Sequence, residues 1–164
     1  MLEPVLLAIV GAAMIAAAVY DITTLTIPNW ISAALIVLFP LVAFNADLSW
    51  AEAGIHLAVG FAALVVGVLL FAGGLIGGGD AKLFAAVSLY IGAASFGLYV
   101  FAVALAGGAL AVAVIALRWA ASSGLTARIS WLQHLTQKSG ALPYGVAIAA
   151  GGLFVIPATQ LFAA

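Results

Sequence analysis

Residues 83–117 carry no charged side chain. As one α-helix these 35 residues would be roughly 52 Å long at 1.5 Å per residue. A bilayer core is only about 30 Å thick and takes about 20 apolar residues as a helix. The stretch is therefore too apolar to fold in water and too long for one crossing. It divides most naturally near Gly92-Ala93-Ala94-Ser95. The rest of the chain has the same character, with 68% hydrophobic and 5% charged residues among 164 and a mean hydropathy of +1.37. A soluble domain is roughly 25% charged, so this chain could not cover its own surface against water. It is read as an all-α, polytopic membrane protein.

Five further features place the remaining spans. The first apolar run, Pro4 to Tyr20, ends at Asp21, and only Glu3 precedes it. A signal peptide needs a basic leading region, so residues 4–20 are expected to be a retained span. Thr23, Thr24 and Thr26 then lead into Ile27-Pro28-Asn29, with Pro28 suited to a helix start. A second span is expected over Trp30–Phe44, and a polar turn with Asn45, Asp47, Ser49, Trp50 and Glu52 leads to a third over Ala53–Phe71. The uncharged stretch gives the fourth and fifth, and Leu142–Phe162 the sixth. Between them, residues 118–140 are polar, with Ile129, Trp131, Leu132 and Leu135 spaced for a short interfacial helix. Trp30, Trp50, Trp119 and Trp131 all fall near span ends, where indoles prefer to sit.

Charge orients the bundle. With six spans, the loops at 21–29, 72–82 and 118–140 share one side, and that side holds Lys82, Arg118, Arg128 and Lys138. Basic loops stay cytoplasmic, so both termini are expected outside. Glu3, Asp47 and Glu52 fall on the outer side. Asp21 and Asp80, 59 positions apart, come to one depth at the cytoplasmic boundary. The chain is expected to form a single domain over 1–164. It has no basic patch for nucleic acid, and the absence of cysteine excludes disulfides and thiolate sites.

An acid beside long apolar runs marks a functional site by default. Two carboxylates brought together cannot both ionise cheaply, so the pair shares a proton and titrates as a unit. The ionised member can activate water while the protonated member donates to a carbonyl oxygen, which is the apparatus for peptide hydrolysis without a metal or cofactor. The glycines Gly77, Gly78 and Gly79 before Asp80 would admit water and an extended substrate strand. Plainer roles stay open: Asp21 as a helix-end residue among headgroups, Asp80 as a helix N-cap, Lys82 as a snorkelling anchor or phosphate contact. His56 on the outer side and His134 in the basic loop are not expected to meet, nor to act as ligands, and Ser88 and Ser95 are not expected to find a histidine. A proton-coupled carrier and a structural membrane subunit are the alternative functions.

Three blocks resemble the type IV prepilin peptidases, which are Gly-x-Gly-Asp aspartic proteases. They are Asp21 with Ile27-Pro28-Asn29, then Gly77-Gly78-Gly79-Asp80-Ala81-Lys82-Leu83, then Leu142-Pro143-Tyr144-Gly145-Val146-Ala147-Ile148. The resemblance implies removal of the short basic leader from prepilins or pseudopilins at the cytoplasmic face of the bacterial inner membrane, with pilus assembly machinery as a further partner. It makes Asp21 and Asp80 the catalytic pair. It places substrate contacts at Pro28, Asn29, Gly77, Gly78, Gly79, Lys82, Pro143, Tyr144 and Gly145. Larger members carry a cysteine-bearing cytoplasmic region and N-methylate the product. This chain lacks that region and resembles the short form of tight-adherence (Flp-type) systems, so methylation is not expected. Basic residues expected between Asp21 and Pro28 are replaced by threonines.

Overall fold

The computed structural model describes residues 2–122 and 142–162. Every regular element among them is helical: α1 (Glu3–Thr24), α2 (Asn29–Asn45), α3 (Trp50–Ala72), α4 (Gly78–Ser122) and α5 (Tyr144–Val155), closed by a 3₁₀ turn at Ile156–Ala158. By length and composition three are apolar enough to cross a membrane, Glu3–Thr24, Trp50–Ala72 and Gly78–Trp119. The helices over Asn29–Asn45 and Tyr144–Ala158 are apolar but shorter. Large hydrophobic side chains such as Val37, Phe61 and Phe154 stand fully on the outside. Apolar patches of that extent mark a surface made for lipid or partners rather than water, and the protein is an integral membrane protein. The interfacial helix expected from Ile129, Trp131, Leu132 and Leu135, together with Arg128, His134 and Lys138, lies outside the described residues.

The ends differ from expectation for local reasons. α1 runs past Asp21 to Thr24, and the Thr23 and Thr24 hydroxyls are satisfied within it, donating back to Val19 O and Tyr20 O, each at 2.7 Å. α3 begins at Trp50 because Ser49 and Glu52 form a capping box, with Ser49 N–H donating to Glu52 Oε2 at 2.8 Å and Glu52 N–H to Ser49 Oγ at 3.3 Å. Pro28 precedes the first residue of α2 rather than occupying it.

Inside α4 the chain turns back at Gly92, the one residue there with non-helical dihedrals (φ 66°, ψ 178°). The ring of Phe84 stacks on Tyr99 with centroids 5.2 Å apart. On a straight helix, fifteen residues would separate them by about 22 Å, so 78–91 and 93–122 are two arms packed side by side. The first arm runs antiparallel to α3: bare Gly67 sits over Ala81, and Gly60 over Ala85 and Leu89. The second arm runs antiparallel to α5, with Gly151 against Val103 and Gly107 against Ala147. α5 in turn runs antiparallel to α1, with Gly152 on Met14 and Gly11 near Leu153. Small residues at these crossings let helices approach closely where lipid supplies no hydrophobic drive. The start of α2, the starts of the first arm and α5, and the ends of α1 and α3 therefore meet at one end of the bundle.

The turn at Gly92 leaves the Leu89 carbonyl without a helical partner. The buried His56 supplies one, with Nδ1 2.5 Å from Leu89 O, while its Nε2 accepts from Gln160 Nε2 at 2.9 Å. Its ring also stacks on Phe39 at 5.9 Å. One imidazole thus ties α2, α3, the α4 turn and the C-terminal segment. Replacing His56 with leucine strands the Leu89 carbonyl and Gln160, and is expected to cost about 2–3 kcal/mol. Thermal unfolding in detergent measures it; an unchanged midpoint would show that the imidazole holds nothing.

Candidate active site

At the end where those five helix termini converge lies a cavity of about 270 Å³ lined by Leu25, Thr26, Ile27, Asn29, the three glycines 77–79, and both Asp21 and Asp80. Asp21 comes from the last turn of α1 and is 4% exposed; Asp80 comes from the first turn of α4 and is 9% exposed. Leu25, which ends α1, takes the left-handed conformation (φ 51°) and returns its N–H to Asp21 O at 2.9 Å. That sharp exit carries the chain from the first acid directly into the cavity wall.

Each carboxylate has one anchored oxygen. Asp21 Oδ2 accepts from the Gly145 N–H at 2.6 Å, a short charge-assisted bond at the start of α5. The unpaired amides of a helix N-terminus suit an anion. Asp80 is the third residue of α4, and its Oδ2 accepts from the Gly77 N–H at 3.2 Å. That is half of a capping box, so Asp80 sits at the third helical position rather than at the expected N-cap, and this helix-end bond uses only one oxygen. Its other oxygen, Oδ1, is buried and finds no partner among the described residues. A buried carboxylate oxygen left unpaired costs free energy that only a bound group or water can recover. Asp21 lies within electrostatic reach of Asp80, and both carboxylates face the Gly145 amide, whose hydrogen bond goes to Asp21.

The glycines are shaped by this packing as much as by access. A side chain on Gly79 would press on Ile27 Cβ at 3.2 Å, one on Gly77 on Asp80 Oδ2 at 2.8 Å, and one on Gly145 on Asp21 Oδ2 at 2.8 Å. Ile27 is the wedge between the starts of α4 and α5. Its apolar character gave no sign of that role in the sequence; only its place before Pro28 did.

The remaining expected contacts separate. Asn29 lines the cavity, whereas Lys82 turns away, donating to Asn29 Oδ1 at 2.9 Å and lining a neighbouring groove. Pro28 and Pro143 stand before the starts of α2 and α5, and Tyr144 is the first residue of α5. At the opposite end, contrary to the sequence reading, Ser95 does share a cavity with a histidine, His56. Both nitrogens of that imidazole are already engaged by Leu89 and Gln160, so it is not free to serve Ser95 as a base. Ser88 Oγ donates to Phe84 O at 2.7 Å within its own helix. Among the described residues no group of three or more His, Asp or Glu could hold a metal ion.

The description of the type IV leader peptidase family matches residues 8–112. The chain belongs to that family. The match takes in Asp21 to Asn29 and Gly77 to Leu83, while the Leu142–Ile148 block lies beyond it. No curated protein and no solved structure matches the chain. Family membership makes this a leader-peptidase-like protease in a membrane.

Proposed function

We propose that the protein is a membrane-embedded aspartic endopeptidase, with Asp21 and Asp80 as its catalytic pair, that removes the short basic leader from type IV or Flp-type prepilins. The observation that carries this reading is the single cavity onto which both buried carboxylates open, with Asp80 Oδ1 left unpartnered. A water held between the carboxylates gives its proton to the ionised one as its oxygen attacks the scissile carbonyl carbon. The protonated partner gives its proton to the carbonyl oxygen. Collapse of the tetrahedral intermediate breaks the C–N bond, and the amine leaves with a proton from the pair. The Gly145 amide holds Asp21 in place throughout, and no metal or cofactor is required.

In this reading all six helical segments span the bilayer, with both termini outside and the aspartate end at the cytoplasmic face of the bacterial inner membrane. Lys82, turned toward Asn29 and the groove, does not line the cavity, so the wall offered to a basic leader carries two acids and no cation among the described residues. N-methylation is not part of the proposed activity.

The test is co-expression with a candidate prepilin and N-terminal sequencing of the product. Processing after the leader supports the reading; an unprocessed substrate beside folded enzyme defeats it. Gly145 gives a finer probe. Alanine there would place Cβ 2.8 Å from Asp21 Oδ2 and 2.6 Å from Ile27 Cδ1, driving the carboxylate off its amide. Displacements near 1 Å are known to cost about 10²-fold in rate, so Gly145→Ala should slow cleavage by about that factor. A normal rate in a cleavage time course would show that the amide does not position Asp21.

A further inference from the structure

Beside the aspartate cavity, and sharing Asn29 with it, an open groove of about 430 Å³ runs between α2, α3 and the first arm of α4. Its floor is kept low by Gly60, Ala85 and Ala86, and its walls are Ile36, Leu57, Phe61 and Leu64, all turned outward. The lining runs from 29 to 36 on α2, 57 to 64 on α3 and 82 to 89 on α4, each about 10 Å of helix.

The groove is polar at one end only. Lys82 and Asn29 stand at the aspartate end, and Ser32 follows one turn along α2. Lys82 has its hydrogen bond to Asn29 Oδ1 and no carboxylate within ion-pair distance among the described residues. Ser32 is only 4% exposed and lines the groove. An apolar trough ending in a cation, an amide and a hydroxyl complements an amphiphile with an anionic head.

We propose that this groove binds one anionic phospholipid. Its phosphate rests on Lys82 and Asn29, an ester oxygen accepts from Ser32, and an acyl chain lies along the trough. Through Asn29 the headgroup would then border the aspartate cavity. The proposal stands independently of the catalytic reading, since it concerns binding alone.

The test uses the full chain purified from nanodiscs of equimolar phosphatidylglycerol and phosphatidylcholine, with retained lipid counted by native mass spectrometry. One phosphatidylglycerol is expected to remain in preference to phosphatidylcholine. Lys82→Gln, at an exposed position, should lower that preference about fivefold, the usual effect of one lysine beside an anionic headgroup. Ala33→Phe, also exposed and on the groove wall, should fill the trough and abolish retention with Lys82 still present. A photo-reactive benzoylphenylalanine at Phe61 should form adducts with lipid. Equal retention of both lipids by the unmodified chain, unchanged retention in both variants, or polypeptide adducts at position 61 from a partner or a second copy would each overturn the proposal.

Discussion

Asparagine at either Asp21 or Asp80 is expected to lower prepilin cleavage by about 10²–10⁴-fold, the range for losing a positioned acid or base. The substitution keeps the size of the side chain and leaves an oxygen to accept from Gly145 N–H or Gly77 N–H. The fold and the cavity should therefore survive, and only proton exchange is lost. Because a pair sharing one proton acts as a unit, the double variant should be little worse than either single one. The measurement is the rate of leader removal by purified variants in the same lipid, with the elution profile showing intact protein. A normal rate in either single variant would mean that the two acids do not act on the peptide, and would leave the carrier or structural roles to be tested.

Gly92→Ala is expected to give the largest loss of stability, about 3–4 kcal/mol. Two separate costs add. A backbone at φ 66°, ψ 178° belongs to a region that only glycine enters freely, and a side chain there costs about 1–3 kcal/mol. The new Cβ would also lie 2.6 Å from His56 Cε1 and 2.7 Å from its Nε2. The imidazole cannot retreat without dropping the Leu89 carbonyl or Gln160, each bond about 1 kcal/mol or more in a buried setting. Gly97 provides the contrast: nothing lies within 4 Å of a Cβ placed there, so Gly97→Ala in the second arm should be neutral or mildly stabilising. Thermal unfolding in detergent compares the two. Equal midpoints for both variants would show that the turn at Gly92 is not held as described.

Much of the architecture was legible because hydropathy is a one-dimensional signal. The uncharged stretch from 83 to 117 was too long for one crossing, and glycine was the residue able to break it. The chain does turn at Gly92. Helix ends were less legible. The threonines after Asp21 read as a break, yet Thr23 and Thr24 continue α1 with their hydroxyls turned back onto its own carbonyls. Glu52 read as part of a turn, yet its carboxylate starts α3.

By itself the sequence determined that this chain lives in lipid, that its apolar runs are interrupted where they are, and that its two candidate acids stand among glycines and threonines. Those follow from transfer free energy and charge, which depend on which residues are present and in what order. Tertiary structure alone decided that the amide of Gly145 would hold Asp21 from 124 positions away, and that Ile27 would wedge two helix starts apart. Such contacts are set by the register in which helices cross. That register depends on small residues meeting across space, as Gly67 meets Ala81 and Gly152 meets Met14, and no periodicity along the chain encodes those meetings.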